Sequence, residues 1–402
     1  MIDQKSSRKK VVLQGMTLSY ASTMADPILL LPLIISYFSD NYLLVGVFIA
    51  LYKVSGMLVQ LYSAYRMQSK LYVMSDLKAI FLLRLFSWLL IGTSIVFFGK
   101  EYPNLTLVLM AIGLTLYSIS YSMGALHYNE ILAKVFTRKY RGVTLAYRQL
   151  YAAFGLLVAA FSVNYIIDIY EEPVSFGMLF IYGSFVMAIG LYYFTKIVEP
   201  KKEHLRDDRT FTIFLSNSIS FLKSDTIFQK YLLSYILVST YLLAMPYIII
   251  QSKEYFEFTG LFVAELILIQ GFGFIVGNLL WGLFSFKSKE KYILLVSIIM
   301  LMVIMLIMLN LHHSYYLYIV FFLYAFASDG IKLVYNNILL VIAPEEKRPI
   351  YTSLKSHITS LGFLFPIIGG LIIYASSSEI LYYVTLSILS ISFIYVLLNS
   401  EY

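Results

Sequence analysis

Along its 402 residues the chain runs twelve times through about 20 mainly apolar residues, the length an α-helix needs to cross the roughly 30 Å hydrocarbon core of a bilayer. A soluble fold cannot absorb this pattern. Its surface would need close to a quarter charged residues, whereas here 13% are charged and 60% hydrophobic. The sequence therefore predicts an all-α, multi-pass membrane protein. The spans fall at roughly 13–38, 42–64, 79–98, 104–130, 143–167 and 175–195, then 231–250, 259–284, 292–311, 315–342, 351–375 and 380–398.

The loops test that division, because cytoplasmic loops collect Lys and Arg. Loops on one side, from Lys5, Arg8, Lys9 and Lys10 through the central stretch to Lys347 and Arg348, carry 23 basic residues. The opposite loops carry only Lys100 and Lys253, beside eight acids, among them Asp40, Glu101, Asp168 and Glu254. A wrong span count would scramble this asymmetry. Both termini are expected in the cytoplasm, and the net charge of +7 reads as topology rather than as a nucleic-acid surface. The basic start followed by an apolar run as far as Phe38 reads as a retained first helix rather than a cleaved leader.

The polar stretch from Lys196 to Lys230 divides the spans six and six, which predicts an N-terminal bundle at 1–195, a cytoplasmic linker at 196–230 and a C-terminal bundle at 231–402. Within the linker Phe211, Phe214, Leu215, Phe221 and Leu222 share one helical face, so it forms either a short interfacial helix or a cytoplasmic start to span seven. The halves are also related to each other. Tyr128-Asn129-Glu130-Ile131-Leu132 recurs as Tyr335-Asn336-Asn337-Ile338-Leu339, and at the same offset Arg141 maps onto Arg348 and Arg148 onto Lys355. Six spans separate the copies, so the repeats run parallel, an arrangement expected to place a binding cavity between the halves near the midplane.

With those residues in hand the sequence resembles the major facilitator superfamily across essentially its whole length. The loop after span two, Tyr62-Ser63-Ala64-Tyr65-Arg66-Met67-Gln68-Ser69-Lys70, keeps the basic positions of the family's G-x-x-x-D-R-x-G-R-R pattern but not its Asp. Gly282-Leu283-Phe284-Ser285-Phe286-Lys287 keeps the glycine and the first basic residue, and Tyr140-Arg141-Gly142 resembles the family's R-G pattern. The resemblance implies twelve transmembrane helices in two parallel-related six-helix bundles, and secondary transport by alternating access.

Ionisable residues inside spans are costly and mark candidate pathways. Asp26 lies mid-span, before the helix breakers Pro27 and Pro32, and is the first choice for proton coupling or substrate binding; the alternative is a static clamp with Lys53 of span two. Asp329 and Lys332 share a face of span ten, and either serve transport or neutralise one another. Glu265 either reaches the cavity or snorkels outward, whereas Arg84 reads as a snorkelling residue near the cytoplasmic end of span three. Glu130 and Arg148 are spaced like the acid and arginine of proton-coupled sugar symporters of the superfamily. Equally, Glu130 reads as half of a cytoplasmic gate with Arg66, Arg141 or Arg148, and Arg348 and Lys355 occupy the mirrored places.

Enzymatic readings find little support. There is no Cys, no G-x-x-x-x-G-K-[ST] loop and no H-E-x-x-H pair, and His312-His313 has no carboxylate beside it. The expectation is a proton-coupled carrier of a small organic solute, or an uncoupled facilitator, and less readily a membrane sensor. It is expected to sit as a monomer in a cell or inner membrane, with the lipid bilayer as its surroundings and no cofactor, metal or nucleic acid.

Overall fold

In the computed structural model the described residues are 3–201, 225–285, 289–343 and 348–399, and their regular structure is helical throughout. Eleven helices among them are long and apolar enough to cross a membrane. The predicted spans two to six appear as Tyr42–Gln68, Met74–Phe98, Pro103–Val135, Arg138–Ile169 and Val174–Phe194. Spans eight, nine, ten and twelve are Gly260–Ser285, Glu290–Leu309, Tyr315–Ile342 and Ser378–Leu398.

The remaining three spans are broken, each at proline. Span one is two helices, Gln4–Thr23 and Leu30–Phe38, with non-helical chain at 24–29 around Pro27. This break explains why eleven rather than twelve continuous crossings are counted. Span seven passes from Thr226–Val238 through a 3₁₀ turn at Ser239–Leu243 into Met245–Lys253, and span eleven from Arg348–Leu361 through Gly362–Leu364 into Phe365–Ala375. Pro246 and Pro366 each open the helix after the turn, a position where the missing N–H and fixed φ of proline do no harm.

Two compact units emerge. One comprises the chain up to Phe38, the stretch from Leu51 into the linker, and Thr259–Ala264; the other comprises Ser39–Ala50, the chain from the linker to Phe258, and Glu265 onward. The first thus holds most of the predicted N-terminal bundle and the second most of the C-terminal one, with short outer ends of spans two and eight exchanged. In the first, span one packs on spans five and six, and span four on span three. In the second, span nine packs on spans ten and twelve. The exchange of Tyr42–Ala50 has a local cause: a Cβ at Gly46 would meet the backbone of Pro366 and Ile367, so only glycine allows that approach. Tyr247 fastens the place, its hydroxyl donating to the carbonyls of Tyr42, at 3.2 Å, and of Pro366. The proposed interfacial helix of the linker lies outside the described residues.

Candidate functional site

Asp26 sits inside the break of span one. Its Oδ1 accepts the backbone N–H groups of Ile28 at 2.9 Å and Leu29 at 3.0 Å, and its carbonyl accepts from Leu31. The carboxylate therefore caps the second half-helix, a role Asp fills because a helix start leaves N–H groups unpaired. Sequence reading placed this acid at mid-depth but missed the cap, which exists only once the helix stops. Lys53 projects from span two with its ammonium 4.6 Å over the Tyr52 ring, and the Asp26 charge also acts on Tyr52.

Tyr52 begins a stack of rings at mid-span. It lies flat against Tyr117 at 5.2 Å, and Tyr117 against Tyr121 at 6.0 Å, with Trp88 5.6 Å from Tyr117. Arg84 closes the far end, between the rings of Phe81 and Tyr121 at 5.5 and 5.4 Å. Its placement corrects the snorkelling expectation: the residue is 3% exposed and donates from Nη2 to the Ser120 carbonyl at 2.8 Å. The helix begins at Met74 rather than near residue 79, so Arg84 lies about 15 Å along its axis.

At the end of this unit that is rich in Lys and Arg the ionic groups mostly hold neighbouring helices together. Glu199, just beyond span six, accepts from the N–H groups of Val73 at 3.0 Å and Met74 at 2.8 Å and from Lys134 at 2.5 Å. Val73, the residue before span three, offers no side-chain cap of its own, and Glu199 supplies the missing acceptor. The sequence carried a signal for it, an acid directly after a span and before a proline, but not its partner. Lys70 pairs with Asp76 at 2.5 Å, and the Nε2 of His127 lies 3.7 Å from the same carboxylate.

Glu130 forms an ion pair with Lys134 on its own helix at 3.9 Å. Arg148 instead donates to Gln14 of span one at 3.4 Å and lies 5.2 Å over the Tyr128 ring. Arg66 folds onto Tyr62 of its own helix at 3.3 Å, and the Arg141 side chain makes no hydrogen bond or ion pair among the described residues. The side chain of Arg348 is outside the described residues. Arg8 packs against Tyr140 and Tyr147 at 5.3 and 5.0 Å, a pairing no sequence signal revealed.

The second unit repeats one of these arrangements. Lys355 donates to Asn336 at 2.5 Å, so in both halves the aligned base reaches the repeated Tyr-Asn motif of the preceding span. Tyr335 is fully buried, with its hydroxyl 2.6 Å from that of Ser234. Glu265 accepts from Tyr318 at 2.5 Å, which ties span eight to span ten and replaces the outward snorkel. Asp329 and Lys332 do not form the close pair expected of their spacing: the Lys332 ammonium lies 5.1 Å over the Phe274 ring. The Asp329 carboxylate has no hydrogen bond or ion pair among the described residues, and the Lys332 charge acts on it from farther away. Among the described residues no group of acids and histidines is arranged to hold a metal ion.

Over the described residues the chain is all-helical and multi-pass, with three interrupted spans. Residues 227–401 match the family model of the Major Facilitator Superfamily. The nucleoside transporter NupG has a similar fold at a TM-score of 0.76 and 9% identity, over 97% of this chain and 99% of that one. A bacterial homologue of the iron transporter ferroportin, in an inward-facing state, gives 0.72 at 11% identity over 97% and 98%. The D-xylose-proton symporter gives 0.71 at 12% identity over 97% and 96%. No curated protein matches the chain in sequence. The resemblance read from the sequence is thus borne out: the chain has the major facilitator fold, and its second half carries the family's sequence pattern.

Proposed function

We propose that the protein is a secondary transporter, not an enzyme, which moves a small organic solute across a cell or inner membrane by alternating access, coupled to protons. The observation that carries this reading is the pair of breaks in spans one and seven, the first spans of the two halves. Interrupted helices in corresponding positions of a repeat are where carriers of this kind place their ligand and ion sites. Asp26 stands in the first break, and Asp329, whose carboxylate has no hydrogen bond or ion pair among the described residues, is the acid of the second unit best suited to take up and release a proton. Lys53, Glu130, Arg148, Glu265, Lys332 and Lys355 are assigned supporting roles in binding or in holding helices together. Arg66, Arg141 and Arg348 are assigned to the cytoplasmic gate. The D-xylose-proton symporter shows by its name that the fold accommodates proton coupling.

One observation favours uncoupled facilitation instead. The two backbone N–H groups of Ile28 and Leu29 occupy the Asp26 Oδ1, which gives this carboxylate a structural duty apart from proton transfer. Counterflow in proteoliposomes separates the two readings. A coupled carrier shows exchange whose pH dependence is lost in Asp329→Asn or Asp26→Asn; a facilitator exchanges equally at pH 5.5 and 7.5 in the wild type.

A further inference from the structure

Arg84 is the group in the first unit that the account so far leaves unexplained. A guanidinium stays charged at any working pH and offers five N–H donors. At mid-span, 3% exposed, it makes one hydrogen bond, to a backbone carbonyl, and its buried Nε has no partner among the described residues. Among the described residues no carboxylate pairs with it; its neighbours are the rings of Phe81 and Tyr121. A buried cation in a bilayer normally meets a counter-charge. Here the same tyrosine stack ends at its other side in a second cation, Lys53, and the Asp26 charge acts on Tyr52 of that stack.

The fold accommodates the guanidinium by design of the facing helix. A Cβ at Gly124 of span four would come 2.5 Å from Arg84 Nη2, so the glycine keeps that space for the arginine. Tyr121 is 49% exposed whereas Phe81 is buried, so Tyr121 is the wall from which a ligand approaches.

We infer that Arg84 is an anion-recognition residue, and that the transported solute is an organic anion whose carboxylate or phosphate takes the open Nε edge of the guanidinium while its body packs on Tyr121. The inference rests on the carrier reading and names its substrate class. Arginine suits the task because its planar fork matches both anions in a bidentate fashion.

The chain has two tryptophans, and Trp88 lies in this cluster, so it reports binding directly. In a Trp281→Phe background, fluorescence is titrated in detergent at constant ionic strength with benzoate, phenyl phosphate and neutral benzyl alcohol. The expected result is a saturable change with benzoate or phenyl phosphate and none with benzyl alcohol, with Kd raised at least tenfold in Arg84→Gln. If Arg84→Gln does not fold, Arg84→Lys keeps the charge without the fork and is expected to raise Kd at least threefold. A response shared by benzyl alcohol, no response to either anion, or anion affinities unchanged in the variants would overturn the inference. Proton-coupled counterflow of a neutral or cationic solute with a silent Trp88 would remove the inference and leave the carrier reading in place. Anion binding without counterflow of any solute would remove the carrier reading instead.

Discussion

Asp26 serves two purposes that substitution can separate. Asn retains an oxygen for the N–H groups of Ile28 and Leu29, and Ala does not. Asp26→Ala is expected to lose about 1 kcal/mol of stability, the usual worth of a helix cap, seen as a lower Tm in detergent. Asp26→Asn should melt close to the wild type while transport loses its pH dependence; if both melt alike, the cap contributes nothing to stability. Sequence alone located Asp26 well, because an acid beside two prolines in an apolar run stands out. Arg84 was misplaced for a physical reason: its burial between Phe81 and Tyr121 and its bond to the Ser120 carbonyl depend on which helix faces span three, and an apolar run does not reveal that. The pairing of Asp329 with Lys332 was likewise unreadable, since i, i+3 spacing permits an ion pair and the ammonium found Phe274 instead.

Among elements, the breaks and the caps matter more than the uninterrupted spans. The prolines announced the break in span one, while the 3₁₀ turns of spans seven and eleven left little trace in an apolar pattern. Glu199 joins the end of span six to the start of span three and the end of span four, and its side chain is 4% exposed. It caps the start of span three from the end of span six and holds Lys134 at the same time. Glu199→Gln removes the charge from three hydrogen bonds and is expected to cost about 2 kcal/mol, measured as a drop in Tm with the helical circular dichroism intact at low temperature. No change would show the clamp to be solvated and unimportant. Gly46→Val places methyl groups where the backbone of Pro366 lies, and the resulting overpacking should destabilise the protein by about 1–3 kcal/mol. A Tm equal to the wild type would mean that the close approach is absent in the membrane.

For the whole molecule, span count and loop charge made the fold legible, because a bilayer leaves so few ways to satisfy a backbone. The internal repeat was legible too, and Arg148 over Tyr128 and Lys355 on Asn336 give it structural expression. Substrate and coupling were not, since they depend on which of several isolated charges meet a ligand. The topology is open to a direct check, because the chain lacks cysteine and any introduced thiol is unique. Ser376→Cys, in the turn between spans eleven and twelve, should react with a membrane-impermeant maleimide on intact cells, and Ser6→Cys only after lysis. The reverse pattern would invert the orientation.

The central claim is that solute and proton move together through this chain. Proteoliposomes loaded with a pH-sensitive dye, and challenged in turn with organic anions, sugars, nucleosides and amino acids, measure it most directly. The account predicts that at least one solute class, the organic anions first, drives a proton movement across the membrane that Asp26→Asn and Asp329→Asn together abolish. Solute uptake with no proton movement, at a rate unchanged by the two substitutions, would contradict it.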